Sequence, residues 1–170
     1  MISFNINSEN STDHWQYFDV AGKNVLDLGC GRWDVKEKNE LSPFYFLNSG
    51  AKSVVGIESN IEDVIYFNQF TQEEPRLIIK NDFISRASQI QQYIKEYSIT
   101  ALKSDIEGSE VVISREFSKD DFDNINEVAI EYHSHDICRE FMECIPKWGF
   151  TIKAQGKLHL DGYGVLFLTK

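Results

Sequence analysis

The sequence is poor in cysteine and short of cations. Its three cysteines, Cys30, Cys138 and Cys144, form no C-x-x-C pair and cannot all pair with one another, so a reduced, cytoplasmic setting is expected. Nowhere do about 18 apolar residues run in succession, which excludes a membrane-spanning helix. Met1 to Ser11 is polar, with neither a basic segment nor an apolar run, and does not read as a secretory signal. Lys and Arg number 17 against 27 Asp and Glu, for a formal net charge of −10. The cations are scattered among acidic neighbours, and such a surface repels phosphate backbones and anionic lipids. No nucleic acid and no membrane are therefore expected as partners. Repeats, linkers and low-complexity stretches are also missing.

What is present suits one globular domain. The 170 residues are enough to bury a core, and a hydrophobic content of 42% is ordinary for one. Short β-branched runs alternate with longer amphipathic ones, the βαβ pattern of a parallel sheet. Strands are expected at 24–28, 53–58, 76–80, 100–105 and 127–133. Helices are expected from Ser42-Pro43 to about Gly50, from Asn60 to about Phe70, over 84–97, over 111–117, and from about Asp136 to Trp148. Ser42 reads as an N-cap with proline following, Asn60 as a cap, and Gly149 as a stop. The runs 150–155 and 164–169 are separated by a loop too short for a crossover, so they must form an antiparallel hairpin. Residues 1–20 read as an N-terminal extension to a domain over 21–170. Trp15, Tyr17 and Phe18 in that extension either pack into the core or cover the site.

Chemistry-bearing residues collect where the strands end. Asp27-Leu28-Gly29-Cys30-Gly31 places two glycines at a strand-to-helix turn, where bare backbone lets a ligand approach. A dinucleotide turn would continue to a small residue at position 34, but Asp34 stands there. That residue and the closing hairpin argue against an NAD-linked oxidoreductase. Carboxylates here would instead favour an amino-acid-like, cationic ligand. Glu58 can accept from two ribose hydroxyls. Asn81-Asp82-Phe83 offers a carboxylate for an adenine amino group and a ring for its face.

Four segments carry a family resemblance. They are VLDLGCG (25–31), VVGIESN (54–60), LKSDIEGSE (102–110) and VAIEYH (128–133). The chain from about residue 22 to its end resembles the class I S-adenosylmethionine-dependent methyltransferases, and within them the FkbM-type group. The resemblance implies an α/β, Rossmann-like, seven-stranded, mostly parallel sheet with helices on both faces and an antiparallel C-terminal hairpin. It implies S-adenosylmethionine as cofactor, bound by Asp27, Gly29, Cys30, Gly31, Glu58, Ser59, Asp82, Phe83 and Asp105. It also implies O-methylation of a hydroxyl on a small metabolite, sugar or other glycan acceptor. Two departures stand out: Trp33 replaces the third glycine of the usual motif, and a charged stretch, 32–40, precedes the first long helix. The chain is also short for the group. A non-catalytic cofactor-binding module or partner subunit is the alternative, and a homodimer could supply the lid that the chain lacks.

Methyl transfer is an in-line displacement, and an alcohol acceptor needs either a proton acceptor or a metal that lowers its pKa. Asp105 ends one strand, and Glu131 and His133 lie two apart on the next, so they share a face. Asp105, Glu131 and His133 form the catalytic set. An imidazole titrates near neutrality, so His133 reads as the base, oriented by Glu131 or Asp105. The same three could instead hold a divalent ion. They could also only cap helices and balance Lys103. Glu107 and Glu110 flank Gly108 at a helix start, where negative charge is favoured. His135 reads as solvent-facing or part of a cap, and His14 and His159 have no visible partners.

Overall fold

The alternating pattern closes into one sheet with a helix layer on each face. The computed structural model describes residues 1–6, 12–31, 38–157 and 162–170. Trp33 and Asp34, the charged stretch as far as residue 37, and His159 lie outside them. The strands are β1 (Ile2–Asn5), β2 (Asn24–Leu28), β3 (Ser53–Glu58), β4 (Leu77–Asn81), β5 (Ala101–Ser104), β6 (Glu127–Tyr132), β7 (Thr151–Lys157) and β8 (Gly164–Thr169). The helices are α1 (Ser42–Asn48), α2 (Ile61–Asn68), α3 (Ala87–Glu96), α4 (Val111–Glu116) and α5 (His135–Trp148). Among the described residues, no helix is long and apolar enough to cross a membrane.

The strand order is β1-β7-β8-β6-β5-β2-β3-β4. The pairs β2–β3, β3–β4, β2–β5 and β5–β6 are parallel, whereas β8 runs antiparallel to β6 and β7. From β2 the chain moves outward through β3 and β4, then returns to add β5 and β6 on the other side. The carboxyl ends of β2 and β5 therefore border the crevice where the winding reverses, the usual ligand position in such sheets.

Both faces are covered, which is why the inner strands read as nearly unbroken apolar runs. One core sets α1 and α2 (Phe44, Phe46, Leu47, Val64, Phe67) against the sheet. The other packs α3, α4 and α5 (Ile90, Ile113, Phe141, Ile145, Trp148) on the opposite side. Trp15 and Phe18 belong to the first core, each edge-on to Phe46. These N-terminal aromatics are thus packing residues.

Three details differ from the sequence reading. The sheet has eight strands, because β1 adds to the expected seven by pairing parallel with β7. A Cβ on Gly156 of β7 would lie 2.8 Å from both Phe4 and Ile6, so that glycine leaves room for the added strand's side chains. Leu41, not Ser42, is the N-cap of α1, and the Ser42 hydroxyl donates to Asp27 Oδ2 instead (2.6 Å). Helix α3 begins at Ala87, where Gln89 Oε1 accepts from Arg86 N. Residues 82–86 belong to neither strand nor helix, and Ile84 lies on a cavity wall. Asn60 caps α2 as expected, accepting from Glu62 N, and Gly149 ends α5 with φ +83°.

Candidate active site

A cavity of about 430 Å³ opens at the carboxyl ends of β2, β3, β4 and β5. Its size lies within the range of small-molecule sites. Gly29, Gly31, Glu58, Ser59, Asp82, Phe83 and Asp105 line it, together with Glu107. Seven of the nine residues expected at the cofactor thus surround one space. The other two, Asp27 and Cys30, are fully buried beneath the turn.

The turn after β2 is built on conformations and distances that demand glycine. Gly29 has φ +72°, and a Cβ there would fall 1.7 Å from the Asp105 carbonyl oxygen. A Cβ on Gly31 would lie 2.8 Å from Glu58 Oε2, so that carboxylate faces bare backbone. Glu58 Oε1 accepts from Asn60 N (2.7 Å) and Ser59 Oγ (3.3 Å), which fixes the carboxylate plane. Cys30 fills the room that Gly56 leaves on β3, and burial pushes its thiol well up, so it is an inert packing group.

Asp27 answers to a buried cation. Lys103 on β5 is its register partner, and its Nζ lies 3.0 Å from Asp27 Oδ1. The same ammonium donates to the carbonyls of Gly29 (2.7 Å) and Leu28 (3.2 Å). Burial alone would lower the Lys103 pKa, but Asp27 and then Asp105 carry it above the ordinary lysine value. The ion pair therefore clamps the turn from below, out of reach of anything in the cavity.

Asp82 sits on the cavity wall with both oxygens engaged. Oδ1 accepts from Phe83 N and Gln89 Nε2, and Oδ2 accepts from Tyr93 Oη (2.9 Å) and Gln89 Nε2. Burial, followed by this carboxylate, pushes the Tyr93 hydroxyl up to about 12. Phe83 beside it is 65% exposed, an unusual state for a large ring and one that offers a flat apolar face.

Next to the cavity, Asp105, Glu131 and His133 come together as the sequence suggested. Their ligating atoms lie within 4.8 Å of one another. His133 Nδ1 is 2.9 Å from Oε1 of the buried Glu110. Its Nε2 faces Glu107 Oε2 (3.5 Å), Asp105 Oδ1 (3.6 Å) and Glu131 Oε1 (3.8 Å). Burial lowers the imidazole pKa, but Glu110, Asp105 and Glu131 more than offset it and bring it to about 9. That shift favours the protonated ring at neutral pH. Burial, and then Asp105, raise the Glu131 carboxyl, while burial raises that of Glu107.

The 105–110 loop owes its shape to Glu110, whose carboxylate accepts from Ile106 N (3.0 Å) and Gly108 N (2.7 Å). These bonds hold Glu107 at φ +52° and Gly108 at φ +93°. His14, assigned nothing from sequence, places Nε2 2.9 Å from Glu131 Oε2. No sequence signal marks a contact that spans 117 residues.

The architecture is the α/β Rossmann-like fold of methyltransferases. It is similar to TrmK of M. capricolum, solved with S-adenosyl-homocysteine, at TM-score 0.62 and 13% identity over 94% of this chain and 68% of that one. A candidate tRNA (m1A22) methyltransferase of Streptococcus pneumoniae gives TM-score 0.64 and 12% identity over 94% and 69%. The ribosomal protein L11 methylase of Lactobacillus delbrueckii subsp. bulgaricus gives 0.59 and 11% over 89% and 71%. At such identities the likeness is one of fold. No protein-family model matches the sequence, and no curated protein matches it.

Proposed function

We propose that this chain is an S-adenosylmethionine-dependent methyltransferase that methylates a hydroxyl of a small metabolite or sugar. The observation that carries the reading is the glycine turn facing the Glu58 carboxylate at the point where the sheet reverses its winding. Gly29 and Gly31 would leave backbone open to the amino-acid end of the cofactor, Glu58 would take its ribose hydroxyls, and Phe83 would stack on its base. Asp82, whose oxygens are already engaged, orients Phe83 rather than reaching for the base itself. Asp27 supports the turn through Lys103. When bound, S-adenosylmethionine supplies an electrophilic methyl group on a positively charged sulfur.

The chain's own part is to position an acceptor and manage its proton. Asp105 lies on the cavity wall and is the carboxylate placed to take the hydroxyl proton. Imidazolium His133 can donate to the acceptor oxygen. Glu107, at the cavity mouth, adds negative potential that favours a neutral or cationic acceptor. An RNA acceptor is the second reading, favoured by the tRNA enzyme among the fold neighbours. The carboxylates beside the cavity and the net charge of −10 oppose it.

Calorimetric titration with S-adenosylmethionine and its demethylated product tests the cofactor claim. Glu58→Gln is expected to weaken binding at least tenfold, or about 1.4 kcal/mol. Absence of binding by the wild type would end the reading. Methyl-transfer assays against sugars, phenols and tRNA then separate the acceptor classes. Binding without transfer to any of them would favour the non-catalytic module.

A further inference from the structure

We propose that Asp105, Glu131 and His133 form a binding site for a first-row divalent transition-metal ion, with Lys103, His14 and Glu110 facing the non-ligating atom of each in turn. His133 Nδ1 faces Glu110 Oε1 at 2.9 Å, so Nε2 is the ring nitrogen turned to an incoming ion, which would displace its proton. Glu131 Oε2 meets His14 at 2.9 Å, turning Oε1 toward His133. Asp105 Oδ2 lies 3.6 Å from the Lys103 ammonium, turning Oδ1 the same way. One nitrogen and two carboxylate oxygens therefore converge, with Glu131 Oε2 bonded to His14 and the other two non-ligating atoms facing Glu110 and Lys103. Metal sites are commonly oriented by such outer partners.

The distances fit an ion better than direct pairing. Nε2 stands 3.6 Å from Asp105 Oδ1 and 3.8 Å from Glu131 Oε1, too far for hydrogen bonds, although the His133 side chain is only 9% exposed. Ligands about 2.1 Å from a metal ion lie about 3.0–3.5 Å from one another. The two separations to Nε2 thus need to close by only a few tenths of an ångström, within a set of three atoms that lie within 4.8 Å of one another. Charge points the same way. Asp105, Glu107, Glu110 and Glu131 crowd one imidazole, and the nearest lysine, Lys103, is already paired with Asp27. An imidazole with two carboxylates suits manganese, iron or zinc rather than magnesium. Because Asp105 also lines the cavity, the ion would border the space assigned to the acceptor. Beside a hydroxyl it would lower that group's pKa and leave Asp105 a ligand rather than a base.

The test uses metal-stripped full-length protein and Mn²⁺ alone, followed by the loss of the free-ion electron paramagnetic resonance signal. One saturable site per chain is expected, displaced by Zn²⁺. Asp105→Asn and His133→Gln should each weaken it at least tenfold, and Glu143→Gln, on the exposed side of α5, should leave it unchanged. X-ray absorption of the Zn²⁺-loaded wild type should show one imidazole among oxygen ligands, a reading independent of whether the variants fold. Absence of saturable binding, equal binding by the variants, or a shell without nitrogen would overturn the proposal. Titration of S-adenosyl-homocysteine in chelator, run alongside, tests the cofactor pocket separately, so failure of one claim is distinguishable from failure of the other.

Discussion

A lysine side chain that is 1% exposed is rare, because desolvating an ammonium costs several kcal/mol unless charge and hydrogen bonds replace the lost water. Lys103 recovers both from Asp27 and from the carbonyls of residues 28 and 29. Removing the cation leaves a buried carboxylate uncompensated. Lys103→Met is therefore expected to destabilise the fold by about 3–5 kcal/mol in urea unfolding. Adding Asp27→Asn should return part of that loss, and a cost below about 1 kcal/mol for the single variant would show that the pair does not hold the turn. The residue scale is also where sequence reading reached its limit. An acid two places before a glycine turn looks like a ligand group, and only the register of β2 on β5 reveals the lysine beneath it. His14 escaped for the same reason, since its partner is on β6. Asp105, Glu131 and His133 were legible because Glu131 and His133, at the end of β6 and just past it, are two apart, and Asp105 directly follows the neighbouring β5.

At the scale of elements, periodicity located every expected strand and helix, and capping chemistry decided how well their ends were placed. Helix α5 shows why. Ser134 accepts from Ile137 N at its start (3.2 Å), and Gly149 takes the left-handed conformation at its end. Both signals are local and could be read from the chain. Ser134→Ala should cost about 1 kcal/mol in chemical denaturation, and a change near zero would mean that packing of Phe141, Ile145 and Trp148 alone sets the helix start. Ser42 misled because a serine before proline has two possible occupations for its hydroxyl. Here the Asp27 carboxylate wins over the backbone amide, and the cap moves to Leu41. In the 105–110 loop, the Glu110 carboxylate replaces backbone pairing, so a segment that reads as an acidic helix start is a shaped turn.

For the whole molecule, the first twenty residues decide whether a boundary at residue 20 is physical. Strand β1 extends the sheet beyond β7, and Ile6, Trp15, Phe18 and Val20 are each at most 8% exposed in the core shared with α1 and α2. Burial of each such side chain contributes roughly 1.5–3 kcal/mol, so together they rival the whole stability of a typical domain, about 5–15 kcal/mol. The sequence shows an aromatic cluster there but not its destination. The pairing of β1 is nonlocal, and its four residues carry too little apolar pattern to read as a strand. A chain of residues 21–170 is therefore expected to lose its cooperative thermal transition by circular dichroism. It would lose with it the His14 contact that turns Glu131 toward His133. If that shorter chain instead melted cooperatively near the temperature of the full one, the segment would be a separable extension, and the acidic cluster would have to keep its geometry without His14.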